Sequence, residues 1–358
     1  MTAVVVTGAG GAVGRRVVQL LASRDDVERV VAVDTRPLGP LPDGVEALTL
    51  DLGEARTAPA DPAPDRLEAA LAGAACVIHL AWRIDPTREG ENIATLTHVL
   101  SAADRRGVPG LVHLSSATVY GAWADNPVPL GEGAALRPNP GFAYGMEKAE
   151  AERLVAEWAE GHPEVGVVVL RPAVTVGERV HPLYTALGTT RVTGSGESTR
   201  RVQFLHVDDL ASAVVVAWAE GLRGVYNVAP DGGVGELTAR TLASRLTTNI
   251  PPRVSAAGEA ISWNLWRRGI PPEVRPYCRH AWVVAPDRLR AAGWEPGYTS
   301  EEALVVSDTR HHWDDLPPAI RQNANLAVLV VGTAGALFAL ASAAQRVRRV
   351  RRRRRVGR

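Results

Sequence analysis

The chain of 358 residues is 46% hydrophobic and 22% charged, a composition typical of a folded globular protein with one large α/β domain or two smaller ones. Two cysteines, Cys76 and Cys278, are too few for a disulfide framework and lack the spacing of a metal site, so we expect a reducing compartment and no metal. The net charge of +1 hides an asymmetry, because nine of the 40 basic residues lie at 346–358 and the remaining 31 face 39 acidic ones.

Short apolar runs alternate with helical sequence in the first half of the chain. A β-branched run at 4–6 leads into glycines and then into helical apolar spacing at 15–23. Further strands are predicted at 30–33, 47–50, 76–80, 111–114 and 165–170. Because unalternating apolar strands are covered by helices on both faces, the pattern predicts an α/β fold of the Rossmann type with a doubly wound parallel sheet. The first 15 residues lack the charged and apolar segments of an export signal, which predicts a cytoplasmic protein.

The alternation weakens after Thr175. We assign residues 1–174 to the Rossmann domain and 175–315 to a smaller C-terminal substrate lobe, interleaved with the last Rossmann elements. The tryptophan-rich segment 263–294 is expected in that lobe, and the proline-bearing segment 56–65 is expected to be a surface loop. The predicted organisation ends with a linker at 316–323, a hydrophobic helix at 324–345 and a polybasic tail at 346–358.

A glycine-rich segment follows the first predicted strand. Gly8, Gly11 and Gly14 form a GxxGxxG pattern between strand and helix. A bound pyrophosphate requires backbone N–H groups and the helix N-terminus to approach it closely, and a Cβ would obstruct them. The segment therefore predicts a dinucleotide-binding turn that includes Ala12 and Val13. A tight turn without a ligand is the alternative.

Asp34 ends the second predicted strand, about 20 residues beyond the glycines. A carboxylate at this position accepts hydrogen bonds from the adenosine ribose hydroxyls and repels a 2′-phosphate, which predicts NAD rather than NADP. NADP is retained as the less favoured cofactor, because the Arg36 guanidinium can pair with a 2′-phosphate. A turn former at the strand end is the alternative role of Asp34.

Lys148 is the only lysine in the chain, and every other basic position except histidine is arginine. Arginine cannot replace a compact ammonium group whose pKa is tunable. Lys148 follows Tyr144 by four positions, so the two side chains share one face of a helix. A tyrosine hydroxyl, with an ordinary pKa of about 10, needs a nearby cation to act as a base at neutral pH. We predict that Tyr144 and Lys148 form a catalytic pair, with a solvated surface pair as the alternative.

Two serines, Ser115 and Ser116, end the strand predicted at 111–114. Doubly wound sheets bind ligands at the carboxyl edge of their strands. A hydroxyl there can hydrogen-bond a substrate alcohol or carbonyl while the tyrosine transfers the proton. An ordinary serine turn is the alternative.

These segments together resemble the extended short-chain dehydrogenase/reductase superfamily, in its NAD-dependent epimerase/dehydratase branch, over most of residues 2–310. The landmarks that carry the resemblance are 7–14, Asp51-Leu52, His79-Leu80-Ala81, 115–121, Arg171-Pro172, 204–209, 226–228 and 293–296. The resemblance implies Ser116 as the catalytic hydroxyl beside Tyr144 and Lys148. It implies cofactor contacts from Asp51, Leu52, Leu80, Ala81, Asn92, Ser115, Tyr144, Lys148 and Pro172.

The sequence departs from the family pattern in two places. Asn92 resembles the start of the family's NVxGT helix, but Thr95 and Leu96 replace its Gly-Thr. Nucleotide-sugar members usually carry an arginine where Val202 stands, and Arg200 and Arg201 lie just before it. The resemblance therefore implies a nucleotide-sugar substrate but does not establish it. The residues that we predict to contact the substrate are Thr118, Arg200 and Arg201.

The leading interpretation is an NAD-dependent oxidoreductase that acts on a secondary alcohol, as a nucleotide-sugar epimerase or dehydratase does. One alternative is a membrane-associated enzyme similar to 3β-hydroxysteroid dehydrogenases, which would act on a sterol or lipid alcohol. In that case Trp263 and Trp266 would line an apolar pocket, although core packing is the favoured role of these tryptophans. The other alternative is a sensor that binds NAD(P) without chemistry, but such relatives usually lose the Tyr or Lys that this chain keeps. The resemblance also implies a homodimer.

The segment 324–344 contains 21 residues without a charge, and the nine arginines follow it directly. As a helix it would be about 31 Å long, close to the thickness of a bilayer. Eight of the 21 residues are alanine, so insertion would be marginal. We expect the tail to bind anionic lipids and to hold the protein at the cytoplasmic face of a membrane. The alternatives are a helix packed on a neighbouring subunit with a disordered basic end, or a tail that binds nucleic acid, which is the less favoured partner.

Overall fold

The computed structural model describes residues 2–53, 66–84, 88, 90–178, 180, 200–242 and 271–307, all within the unit Met1–Asp308. The segments predicted at 316–323, 324–345 and 346–358 lie outside the described residues, as do Trp263, Trp266 and the whole loop predicted at 56–65. In the part of the chain that is described, no helix has the length and apolar character needed to cross a membrane.

Seven parallel strands form the central sheet. The strands of the described chain are β1 (Ala3–Thr7), β2 (Arg29–Asp34), β3 (Val45–Thr49), β4 (Ala74–His79), β5 (Gly110–Leu114), β6 (Gly166–Pro172), β7 (Val174–Val176), β8 (Arg201–Val202), β9 (Phe204–His206), β10 (Gly224–Val228) and β11 (Val234–Gly235). The sheet order is β3-β2-β1-β4-β5-β6-β10, and β7 pairs with β9 and β8 with β11 outside it. Every neighbouring pair in the large sheet is parallel, which confirms the predicted fold.

Helices cover both faces of this sheet. They are α1 (Ala12–Ala22), α2 (Arg66–Leu71), α3 (Glu91–Arg106), α4 (Ala143–Gly161), α5 (Val207–Ala219), α6 (Glu236–Leu242), α7 (Arg275–Arg279), α8 (Asp287–Ala291) and α9 (Ser300–Ser307), with 3₁₀ turns at Ala117–Tyr120 and Pro272–Val274. In β1, Val4 and Val6 belong to the core cluster that contains α1, whereas Val5 belongs to the cluster that contains α3. A strand with apolar neighbours on both sides has no solvent face, which explains its unbroken apolar sequence.

The predicted strands agree with the structure to within three residues at each end. Helix α1 begins at Ala12, three residues earlier than predicted, because Gly11 at its N-cap leads directly into the apolar residues Ala12 and Val13. Strand β10 is the one member of the sheet that was not predicted. Its sequence, with Gly224 exposed and Asn227 buried, contains no continuous apolar run.

The segment 294–298 is joined to helix α5 by two buried side chains. Trp294 is fully buried and donates its indole N–H to Ser212 Oγ in α5, at 3.0 Å. Asp209 at the start of α5 accepts hydrogen bonds from the backbone N–H groups of Gly297 and Tyr298, at 2.7 and 3.2 Å. Trp294 therefore serves core packing, while the role predicted for Trp263 and Trp266 stays a prediction. The predicted domain boundary at residue 174 stays a prediction, and β10 enters the sheet from beyond it.

Candidate active site and cofactor cleft

The glycine turn between β1 and α1 leaves no room for side chains. Gly8 has φ of +71°, in the left-handed region that favours glycine, and a Cβ on it would come within 2.6 Å of the backbone nitrogen of Ala81. A Cβ on Gly14 would lie 2.2 Å from the carbonyl oxygen of Gly8. Gly11 caps α1 without a side chain, so the first turn of the helix, with Ala12 and Val13, faces the turn unobstructed. This is the cradle that a pyrophosphate requires.

A cleft of about 300 Å³ lies beside this turn at the carboxyl ends of the strands. Eight residues predicted to contact the cofactor line it together: Gly8, Gly11, Asp34, Arg36, Asp51, Leu52, Leu80 and Ala81. The residues lining it that were not predicted are Val33, Thr35, Leu50, Trp82, Arg83 and Thr95. The structure thus brings half of the sixteen predicted cofactor residues to one cavity.

The Asp34 carboxylate is held in place at the end of β2. It accepts hydrogen bonds from the backbone N–H groups of Gly10 and Arg36, at 2.9 and 3.1 Å. The Asp34 side chain is 10% exposed, while the Arg36 side chain is 79% exposed with its Nε 3.9 Å from Asp34 Oδ1. Two carboxylate oxygens offer about four acceptor positions, so two backbone bonds leave acceptors for ribose hydroxyls. A second cavity of about 380 Å³ lies on the other side of Asp34 and is lined by Arg15 and Arg36.

A polar cluster closes the cleft at α3. Arg83 forms an ion pair with Asp51, with Nη2 2.5 Å from Oδ2, and a second with Glu91 at 3.1 Å. Asn92 accepts from the Arg83 backbone N–H at 2.8 Å and donates to the Arg83 carbonyl at 2.9 Å. The same amide donates to Glu147 Oε2 in α4, at 2.9 Å. Asn92 therefore ties the chain after β4 to α4, and its predicted contact with a cofactor stays a prediction.

The predicted catalytic pair lies in the first two turns of α4. Lys148 is 3% exposed, and its Nζ donates to the Leu114 carbonyl oxygen at 2.6 Å. Its Nζ also lies 3.5 Å from the ring centroid of Trp82, in a cation–π contact. Burial lowers the pKa of Lys148 to about 7, against the opposing charges of Glu152 and Glu147. The ammonium expected to assist Tyr144 is therefore partly neutral at pH 7.

Tyr144 is 8% exposed and lies between two aromatic rings. Its ring centroid is 6.4 Å from that of Trp82 in an edge-on arrangement and 5.9 Å from that of Phe142. The next residue, Gly145, permits close approach to the serine turn, because a Cβ there would lie 3.3 Å from the Thr118 carbonyl oxygen. Helix α4 is thus packed directly against the turn that carries the predicted serine.

The serine turn is buried and internally hydrogen-bonded. Ser116 caps the 3₁₀ turn Ala117–Tyr120, and its Oγ accepts from the Thr118 backbone N–H at 3.2 Å and from Thr118 Oγ1 at 2.9 Å. Ser115 Oγ donates to Glu152 Oε1 at 2.5 Å. The hydroxyls of Ser115 and Thr118 are thus bonded within the protein, so their predicted contacts with cofactor and substrate stay predictions.

A buried ion pair underlies the serines. Glu152, one helical turn beyond Lys148, binds Arg171 with Oε2 2.6 Å from Nη2. Arg171 Nη1 donates to the Tyr120 hydroxyl at 2.8 Å, which in turn donates to Asn227 Oδ1 at 2.8 Å. Sequence reasoning did not predict a role for Glu152, although its spacing of four from Lys148 places it on the same helix face.

Two stacked histidines lie at the ends of β4 and β5. His79 and His113 are buried with ring centroids 5.7 Å apart, and Thr7 Oγ1 is 2.8 Å from His79 Nδ1. Burial, and then the charge of Lys148, lower the pKa of His79 to about 3 and that of His113 well below its usual range. Both rings are neutral at neutral pH.

The remaining predicted residues lie at the far side of the sheet. Pro172 is buried at the end of β6, next to β10. Arg200 is buried and donates to the Cys278 carbonyl at 2.8 Å, whereas Arg201 is exposed and donates to the Gly233 carbonyl. The consecutive arginines therefore point in different directions. Their predicted contact with a substrate stays a prediction.

The glycine cradle, the carboxylate at the end of β2 and the Ser–Tyr–Lys group together define a class of protein. The model of the NAD dependent epimerase/dehydratase family matches residues 4–229, more than half of the chain, and the chain belongs to this family. It is an enzyme of the extended short-chain dehydrogenase type. The comparisons favour neither a sterol dehydrogenase nor a non-catalytic sensor.

Two relatives and one solved structure illustrate what the chain is similar to. It is 29% identical over 266 residues to a dTDP-glucose 4,6-dehydratase of Streptomyces antibioticus, which covers 67% of this chain and 75% of the relative. It is 28% identical over 201 residues to an N-acetyl-alpha-D-glucosaminyl-diphospho-ditrans,octacis-undecaprenol 4-epimerase of Escherichia coli O157:H7, covering 52% and 59%. The structure of a Thermus thermophilus UDP-glucose 4-epimerase in complex with NAD superposes with a TM-score of 0.62 at 21% identity, over 86% of this chain and 97% of the other. That last likeness concerns the fold.

Proposed function

We propose that the protein is an NAD-dependent nucleotide-sugar epimerase or dehydratase that acts on a secondary alcohol of the sugar. One observation carries the proposal: the cleft lined by the predicted cofactor residues also includes Trp82, whose ring contacts both Lys148 and Tyr144. A ligand in that cleft therefore ends beside the catalytic pair. The relatives named above act on nucleotide-linked or lipid-linked sugars, which supports this class of substrate.

The residues of the cleft fit NAD. Gly8 and Gly14 keep the turn tight, since any Cβ there would collide with backbone atoms, and Gly11 at the N-cap leaves the N-terminus of α1 open to a pyrophosphate. Asp34, fixed by two backbone N–H groups, offers its remaining acceptors to the adenosine ribose and repels a 2′-phosphate. NAD bound in this way would accept a hydride from the carbon of the substrate alcohol.

The chain's own residues supply proton transfer and orientation. Tyr144 Oη removes the proton of the substrate hydroxyl, and the Lys148 ammonium, when protonated, favours the tyrosinate electrostatically. Ser116 Oγ has both acceptor positions used by Thr118, so its O–H is directed to donate to the substrate oxygen. The low exposure of Tyr144, Ser116 and Lys148 excludes water and strengthens these interactions.

The direct test is a substrate panel. Purified protein with NAD is incubated with UDP-, dTDP- and GDP-sugars, and the products are separated by chromatography and identified by mass spectrometry. We expect turnover of at least one nucleotide sugar, and about 10³-fold slower turnover by a Tyr144→Phe variant. Absence of turnover with every member of the panel would contradict the proposal.

We propose in addition that the segment 324–358 holds the enzyme at the cytoplasmic face of a membrane. The uncharged run at 324–344 and the nine arginines behind it support this, since basic residues near an anionic surface contribute about 1 kcal/mol each. The undecaprenol-linked substrate in one relative's name is consistent with work at a membrane. Full-length protein should sediment with membranes while a chain ending at Asp315 does not. Equal recovery of both in the supernatant without detergent would contradict this.

The family resemblance also supports a homodimer. Light scattering of the purified protein should give a mass near twice the 38.1 kDa of the chain. A mass equal to that of one chain would contradict the dimer and leave the proposed chemistry unaffected.

A further inference from the structure

Trp82 lies between the cofactor cleft and the catalytic pair, and none of the sequence motifs described above includes it. It directly follows Leu80 and Ala81 at the end of β4 and lines the cofactor cleft beside them. On its other side it contacts the buried catalytic pair. The same half-buried indole therefore contacts both the cleft and the catalytic pair.

The face of the indole covers the Lys148 ammonium. Nζ lies 3.5 Å from the ring centroid and donates to the Leu114 carbonyl oxygen at 2.6 Å. Lys148 is 3% exposed in this arrangement. A ligand that enters the cleft therefore meets the indole before it can reach Nζ.

Packing, rather than hydrogen bonding, holds the ring in this place. Among the described residues the Trp82 indole N–H is buried and has no hydrogen-bond partner. An unsatisfied buried donor is unfavourable, so a rotamer that directs this N–H to an acceptor would gain a hydrogen bond. The edge-on contact with Tyr144, at 6.4 Å between centroids, is adjustable in the same way.

We propose that Trp82 is a positioning residue that controls access to Lys148: its indole holds the ammonium against the Leu114 carbonyl and turns aside when the nicotinamide half of the cofactor occupies the cleft. The inference rests on the proposed function, because it takes NAD as the occupant. Binding of NAD then includes the loss of one cation–π contact, and binding of a shorter adenine nucleotide does not.

The first test uses the fact that Lys148 is the only lysine, so that a single ε-amino group reports on the site. The protein without added nucleotide is acetylated with acetic anhydride over a range of pH, and the peptide that contains Lys148 is quantified by mass spectrometry. The pH dependence separates the pKa from the limiting rate constant of the neutral amine. We expect that rate constant to rise about tenfold in Trp82→Leu and less in Trp82→Phe, which keeps an aromatic face.

The second test compares two nucleotides by calorimetric titration. NAD should bind Trp82→Leu about threefold to tenfold more tightly than wild type, because the competing contact is gone. ADP, which lacks the nicotinamide riboside, should bind both proteins equally. Trp158→Leu is the matched control, since Trp158 is also half-buried but stacks on His162 near the other end of α4, with centroids 4.5 Å apart.

An unchanged limiting rate constant in Trp82→Leu would overturn the inference, as would weaker binding of NAD, which would show that the indole builds the nicotinamide site instead of covering Lys148. Failure of wild-type protein to bind NAD at all would instead contradict the proposed function. The acetylation rates would then still decide whether the ring shields Lys148.

Discussion

The cofactor cleft and the catalytic group differ in how their residues are held. The cleft depends on backbone contacts. Gly8 and Gly14 lie so close to other backbone atoms that no Cβ would fit, and Asp34 accepts hydrogen bonds from two backbone N–H groups. The catalytic group depends on buried side chains with mixed partners: Lys148 lies between the Leu114 carbonyl and the Trp82 ring, and Ser116 accepts from the backbone N–H and the hydroxyl of Thr118. Substitutions in the cleft should therefore alter binding, while substitutions in the catalytic group should alter chemistry and pH dependence.

The largest effect is expected from Tyr144→Phe. It removes the proton-transferring hydroxyl but keeps the ring between Trp82 and Phe142. Turnover should fall about 10³-fold while the Kd for NAD changes less than about threefold. Steady-state kinetics and titration calorimetry measure the two quantities. Tyr298→Phe, which alters a ring packed on His206, is the control and should keep full turnover. Tyr144→Phe activity within tenfold of wild type would refute the assignment.

Gly8→Ala should weaken NAD binding beyond the loss of stability that its positive φ causes. The added Cβ would collide with the Ala81 backbone at a φ of +71°, and NAD affinity should fall about 100-fold. Gly44→Ala is the matched control, because Gly44 has φ of +79° but a Cβ added there would have no atom within 4 Å. It should lower the free energy of unfolding by about 1 kcal/mol and leave the Kd for NAD unchanged. Equal affinity losses in both variants would show that backbone strain, and not close approach, is responsible.

Lys148→Met tests the cost of burying the catalytic cation. The unfolded lysine has a pKa of about 10.4, whereas the folded one titrates at about 7. Between these values the unfolded state binds more protons, so the free energy of unfolding of wild type should rise with pH relative to the variant. From pH 7 to pH 9 the difference should change by about 2 kcal/mol in favour of wild type. Denaturant titrations of both proteins measure it, and a constant difference would show that Lys148 stays charged when folded.

The smallest effect is expected from Asp34→Ala. The variant loses a ribose hydrogen bond and the charge that repels a 2′-phosphate, so NAD binding should weaken about tenfold and the discrimination against NADP should narrow. Arg15 and Arg36 beside the adjoining cavity would then face the phosphate unopposed. Competition assays with both nucleotides measure this, with Asp43→Ala as a control outside the cleft. An unchanged preference would assign cofactor choice to Arg36 or to other residues.

The sequence predicted the parts of the molecule whose physical requirements are local. Apolar runs indicated six of the seven strands of the sheet, and the glycine spacing indicated the cradle. Strand β10 was missed because Tyr226 and Asn227 interrupt its apolar pattern, and its place in the sheet depends on pairing with the distant β6.

The residues of the site were likewise predictable only where the signal is local in the sequence. Tyr144 and Lys148 were found because four-residue spacing places them on one helix face, and Glu152 follows the same rule one turn later. Trp82 and Arg83 left no such signal, because their partners Lys148 and Asp51 are distant in sequence. Contacts of that kind become visible only when the strands are assembled.

The stacked histidines make the free energy of unfolding depend on pH below about 6.5. An unfolded histidine takes up a proton near pH 6.5, whereas His79 resists protonation down to about pH 3 and His113 is likewise protonated only well below its usual range. Below pH 6.5 the unfolded state binds more protons, so each step of acidification favours unfolding through both rings. Because both rings are buried near Lys148, this loss of stability acts on the site itself, and it begins at a higher pH than the titration of carboxylates with ordinary pKa values of about 4.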